Sequence, residues 1–203
     1  MEHSLGGGES VAQAPIEIQK VDKELYASVL EALAREGITF TVPIESLSID
    51  NLSKSRATRD FFTYVNPSRA TRASPLRMEV AIDPHHIRIE NSNNLSTDAQ
   101  IEMIKDQERL LKGKLSEKVG NAIRMYMVSV SVIAQLETAY RKVTGKLLLP
   151  DYFARTDDQT VPGSVVHIGR SGPSFGLYVD DWGRDSPSPH IFALSVIELP
   201  LRK

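Results

Sequence analysis

Residues Thr97–Gly145 read TDAQIEMIKDQERLLKGKLSEKVGNAIRMYMVSVSVIAQLETAYRKVTG, and the architecture turns on how this stretch folds. It opens on a capping signature: Thr97 is followed three residues later by Gln100, and Asp98 adds negative charge to the first turn. Apolar or small residues recur at Ile101, Ile104, Leu111, Leu115, Val119, Ala122, Tyr126, Val130, Ile133, Leu136, Tyr140 and Val143, interrupted only by Glu108. Their mean step of about 3.5 residues is the helical period. Arg141, Lys142 and Lys146 around Gly145 form a basic last turn and its stop.

Wound as one helix, the stretch would be roughly 70 Å long. A compact chain of this size has a diameter of only about 40 Å, so a break is expected. Gly113 and Gly120 are the weak points, since glycine costs roughly 1 kcal/mol against alanine inside a helix. The stripe keeps its phase through both glycines, yet two helical segments divided near Gly120 are the better fit to those dimensions. From Ile123 to Leu136 the chain is apolar on nearly every face, which calls for deep burial or an oligomer interface. Val128 to Val132 also alternates as a strand does, and five residues of periodicity leave both readings open.

Upstream, Asp22 caps a first helix whose apolar face is Leu25, Val29, Leu30 and Leu33, with Gly37 at a left-handed stop. The β-branched run Ile38–Ile44 follows as a strand. Leu76–Glu90 reads as two strand-like pieces divided by the turn Asp83-Pro84. After Pro150 the texture turns to β: Ser164–Ile168, Phe175–Val179 and Ile191–Leu199 are strand-length runs separated by Gly, Pro, Ser and Asp. The expected fold is one α+β domain over residues 21–203, with the long central helical stretch packed on an antiparallel sheet. A flexible leader, residues 1–20 with Gly6, Gly7 and Gly8, would precede it.

The chain has 203 residues, 41% hydrophobic and 25% charged, in the range of ordinary globular proteins, with a net charge of −2. A nearly neutral total gives no global attraction to nucleic acid or membrane. Containing no cysteine, it forms no disulfide and offers no thiolate to a metal or substrate. No run of about 18 apolar residues would span a bilayer, and residues 1–20 lack the basic and apolar regions expected of a signal peptide, so a cytoplasmic or other soluble compartment without a membrane partner is expected.

Residues 53–77 break that neutrality. The pentapeptide Ser-Arg-Ala-Thr-Arg occurs twice, at Ser55–Arg59 and Ser68–Arg72, with Phe61, Phe62 and Tyr64 between the copies. Lys54, Arg56, Arg59, Arg69, Arg72 and Arg77 stand against Asp60 alone, an excess of five positive charges that leaves −7 on the remainder. Guanidinium groups suit phosphate and exposed rings suit base stacking, which is the chemistry of a single-stranded nucleic-acid surface. Arg56, Arg59, Phe62, Tyr64, Arg69 and Arg72 are therefore the expected nucleic-acid-binding residues of a basic loop 53–77. The competing account is a solvated loop anchored to the core by its aromatic residues.

Catalytic signals are thinner. His86, His167 and His190 each precede an isoleucine, and two strand-borne histidines facing one cleft would suit a phosphoesterase or other hydrolase working with Asp180 or Asp181. The two-histidine phosphoesterases need a hydroxyl residue two places after each histidine, however, and those positions hold Arg88, Gly169 and Phe192. His86, Arg88 and Glu90 would share one strand face, which a solvated cross-strand arrangement explains as well. Asp180, Asp181 and Asp185 lack the spacing of a calcium loop and read as a turn. Gly169-Arg170-Ser171-Gly172 is no phosphate-binding loop, and there is no Gly-x-Ser-x-Gly elbow. Met125 and Met127 would line a partner groove or simply join the core.

The reading is a non-catalytic binding and assembly protein without cofactor or metal. It would self-associate through the helical stretch and contact a polyanion, nucleic acid, through the basic loop. The alternatives are a structural component of a protein complex, or the hydrolase.

Overall fold

The computed structural model describes residues 20–66, 77–170, 172 and 176–202. In chain order these form β1 (Lys20–Val21), α1 (Lys23–Arg35), β2 (Phe40–Ile44), α2 (Ile49–Lys54), a 3-10 turn (Arg59–Phe61), β3 (Phe62–Val65) and β4 (Met78–Ile82). Next come α3 (Thr97–Lys114), α4 (Glu117–Gly120), β5 (Arg124–Met125) and α5 (Val130–Thr144). The remaining strands are β6 (Phe153–Gln159), β7 (Ser164–Gly169), β8 (Leu177–Gly183), β9 (Ile191–Phe192), β10 (Ile197–Leu199) and β11 (Leu201–Arg202). The fold is α+β. No helix among the described residues is long and apolar enough to cross a membrane.

Local chemistry sets several element ends where the residues announce them. Asp22 Oδ1 accepts the Leu25 N–H at 2.8 Å and starts α1. Gly145 ends α5 at φ +71°, its N–H bonded to the Arg141 carbonyl at 2.9 Å. At the start of α3 the capping residue is Ser96, whose Oγ accepts from Ala99 N–H, and not Thr97. Thr97 and Gln100 turn inward instead. Thr97 Oγ1 donates to the Arg184 carbonyl, and Gln100 Nε2 donates to the carbonyls of Ser92 and Ile191. What looks like a helix cap is a tertiary clasp.

The central stretch divides into α3 and α5, and the break contains Gly120 but spans residues 115–129. There the chain leaves the helix at Leu115, whose backbone is extended, turns through α4 and contributes β5. Gly113 lies within α3 with open space around it, so glycine there does not break the helix. The alternating residues Val128–Val132 form no strand. Val130 opens α5, and Asp158 Oδ2 accepts its N–H at 2.6 Å, so a carboxylate from β6 serves the helix N-terminus.

The four-stranded sheet, order β2-β4-β10-β5, is antiparallel throughout. The five-stranded sheet, order β3-β8-β7-β6-β9, is mixed: β6, β7 and β8 form the antiparallel meander, while β3 and β9 join its edges in parallel. The run Ile191–Leu199, one strand by sequence, serves both sheets, since β9 pairs with β6 and β10 sits between β4 and β5. On one face of the four-stranded sheet, Ala81, Met125, Ile197 and Leu199 pack with Val29 and Leu33 of α1, Ile104 of α3 and Val119 of α4. Its other face meets α5, and α5 in turn meets the inner face of the five-stranded sheet through Ala154, Val166, Ile168, Leu177 and Val179.

Ten of the fifteen α5 residues are buried in that sandwich. The apolar surface of Ile123–Leu136 is therefore covered within the chain, and it provides no free face for self-association. Met125 and Met127 belong to the core and form no groove.

Candidate nucleic-acid interface

Residues 53–66 are more regular than a loop. They hold the end of α2, the 3-10 turn and the edge strand β3, while Arg69 and Arg72 lie outside the described residues. Strand β3 runs parallel to β8, pairing Phe62 with Leu177, Tyr64 with Tyr178 and Val65 with Val179. On a regular strand Phe62 and Tyr64 would share a face. A bulge at Thr63 prevents that. Phe62 and Val65 both pack on the core beneath, while the bulged Thr63 and Tyr64 are exposed. Phe62 is thus half-buried against the core. Phe61 is likewise occupied, with the Arg141 guanidinium 4.8 Å from its ring centre.

Tyr64 stands on the outer face of the five-stranded sheet, opposite the face that α5 covers. Pleating puts Phe153 and Arg155 of β6, His167 of β7, and Tyr178, Asp180 and Trp182 of β8 on that same side. The rings form two groups. Tyr64 and Tyr178 lie 6.1 Å apart at 35°, and Tyr64 is 43% exposed. Further along β8, His167 meets Phe153 at 5.0 Å and Trp182 at 6.3 Å, both edge to face. Trp182 is 40% exposed, with its Nε1–H donated to the Ser186 carbonyl at 3.1 Å. From Tyr178 to Trp182 is four residues of strand, about 13 Å.

Two polar groups set the electrostatics between these rings. Asp180 lies directly across from His167, and Asn66 Nδ2 donates to Asp180 Oδ1 at 3.3 Å. Burial pushes the His167 imidazole down to about 4, against the pull of Asp180 and Asp181. The ring is neutral at pH 7 and its Nδ1 has no hydrogen-bond partner. Arg155, the third member of the row, is sequestered: its Nη1 and Nη2 donate to Thr97 Oγ1 and to the carbonyls of Arg184 and Ser186. It fastens the 183–186 turn to the start of α3 and faces no ligand.

Four of the six basic residues expected to attract a polyanion are described. Lys54 pairs with Asp50 at 2.7 Å, Arg77 with Glu45 at 3.0 Å, and Arg59 lies 3.5 Å from Asp60. Arg56 is exposed and meets no carboxylate among the described residues. These pairs are solvent-exposed and therefore weak, so the cations stay usable. Arg59 opens the 3-10 turn that leads into β3, which puts it at the end of the face nearest the Tyr64–Tyr178 pair.

The other candidates do not assemble. His86 lies in the turn after β4, its Nδ1 2.7 Å from Asp83 Oδ2, and His190 lies in the turn before β9. His167 is across the sheet from Asp180, but an imidazole held near 4 is a poor base at pH 7. Arg88 pairs with Glu90 at 3.0 Å, the surface arrangement expected of a solvated face. Asp180 and Asp181 project to opposite sides of β8, and the described residues hold no cluster of three or more metal-ligating side chains. Arg170 is fully buried against Glu137 at 2.8 Å, far from any phosphate role.

Tyr178 and Phe153 were missed in the sequence. The alternation Leu177, Tyr178, Val179, Asp180 continues to Trp182, but the two adjacent aspartates and Gly183 make its end resemble a turn. No protein-family model, curated protein or solved structure matches this chain.

Proposed function

We propose that this protein is a non-catalytic binder of single-stranded nucleic acid that works through the outer face of its five-stranded sheet. The observation that carries the reading is the solvent-open Tyr64–Tyr178 pair on an edge of that face, reached through a turn bearing Arg56 and Arg59. Flat rings on a pleated sheet offer sequence-tolerant stacking, and guanidinium groups at the edge serve the backbone phosphates. Trp182 extends the platform along β8. Self-association through the helical stretch would have to use Leu110 of α3 and Val143 of α5, which stay exposed, because most of α5 is buried between the two sheets.

Binding of labelled single-stranded and duplex oligonucleotides across a salt series tests this. Single strands are expected to bind better than duplex. Tyr64→Ala is expected to cost about 1–3 kcal/mol. Arg56→Ala with Arg59→Ala is expected to flatten the salt dependence. Binding indifferent to salt and to Tyr64 would sink the reading. Capture of an acidic protein through the same arginines would then favour the structural-component alternative.

A further inference from the structure

Asp180 is the anomaly on this surface. A carboxylate between two groups of rings repels phosphate, so on a purely sequence-tolerant platform it weakens binding. It lies two residues from Tyr178 on the same face, directly across from the neutral His167, so no imidazolium offsets its charge. Asn66 holds one oxygen, Oδ1, and among the described residues no donor meets Oδ2. The result is an oriented acceptor pair beside a stacking ring.

We infer that Asp180 makes this face selective for guanine in a single strand, an inference that rests on the function proposed above. A base stacked on Tyr178 presents its Watson–Crick edge to Asp180. Guanine alone places two adjacent donors there, N1–H and the N2 amino group, to match the two oxygens of a carboxylate. Adenine and cytosine set one amino donor beside a ring-nitrogen acceptor, which the second carboxylate oxygen repels. Uracil and thymine flank a single N–H with two carbonyls. Discrimination therefore comes as much from repulsion of the wrong bases as from attraction of guanine.

The test uses the full chain and labelled nine-residue oligouridine strands with guanine, adenine or inosine at the centre, and deoxy counterparts of each. The guanine strand is expected to bind about tenfold tighter than the adenine strand, and inosine, which lacks the N2 amino group, to fall between them. Asp180→Asn is expected to abolish that order while tightening binding of plain oligouridine, because a repelling charge is gone. Equal affinity for all strands, or an order that survives Asp180→Asn, overturns the guanine assignment and leaves the stacking platform standing. The comparison of guanine with inosine is made on the unaltered protein, so a variant that fails to fold does not blunt the test. Failure of every strand to bind overturns both readings. Free guanosine monophosphate competing as well as the guanine strand overturns the assignment to a strand surface.

Discussion

His167 shows how a single side chain reports its surroundings. The residue is 8% exposed, its ring enclosed edge-on by Phe153 and Trp182, and its pKa is pushed down to about 4 from an unfolded value near 6.5. The native state refuses a proton that the unfolded chain accepts. The stability linked to this group is therefore complete above pH ~6.5 and is lost as pH falls toward ~4, a swing of about 3 kcal/mol. Urea denaturation at pH 7, 5 and 4 should show that loss, and His167→Phe should remove most of it. Equal pH dependence in the two proteins would mean that other groups carry the acid sensitivity. None of this was legible in the sequence, where His167 differs little from His190. Thr97 and Gln100 read as a helix cap for the same reason: buried polar residues whose partners come from distant segments look like surface residues in one dimension.

At the scale of elements, two glycines in ordinary-looking contexts have opposite meanings. Gly169 ends β7 opposite Phe153, where a Cβ would overlap the Tyr152 carbonyl oxygen and lie 2.5 Å from Phe153 Cα. Backbone cannot yield as a side chain can. Gly169→Ala is expected to cost about 1–3 kcal/mol and to disturb the Phe153 edge of the aromatic face. Gly113, on the open surface of α3, has nothing within 4 Å of such a Cβ. Gly113→Ala should stabilise by up to about 1 kcal/mol through helix propensity alone. Thermal melts of the two variants check both signs, and a stabilising Gly169→Ala would refute the close approach. Elements with strong local signals, α1 with its Asp22 cap and α5 with its glycine stop, were readable. Strand β6 was not, because its FARTDDQ sequence buries Arg155, Thr156 and Asp158 against specific partners and so hides its alternation.

For the whole molecule the decisive feature is α5, shared by two sheets and locked by one buried ion pair. Glu137 takes the Leu148 and Leu149 N–H groups on Oε2, each at 2.9 Å, and meets Arg170 from the end of β7 on Oε1 at 2.8 Å. Glu137→Ala leaves a buried guanidinium and two amides uncompensated, so a loss of about 3–5 kcal/mol is expected. Because both sheets lean on α5, Trp182 fluorescence from the five-stranded sheet and far-ultraviolet circular dichroism should follow one coincident transition in that variant. Separated transitions would show that the sheets fold independently. By itself the sequence determined the α+β class, the division of the central stretch, the caps at Asp22 and Gly145 and the basic, aromatic character of 53–66, because each rests on residues close together in the chain. Tertiary structure decided that Ile123–Leu136 is buried within its own chain, that a bulge sends Phe62 inward and Tyr64 outward, and that Tyr178, Asp180 and Trp182 share the face with Tyr64. Those outcomes depend on strand register and layer order, which are set by contacts between residues far apart in the chain and leave no periodic trace in it.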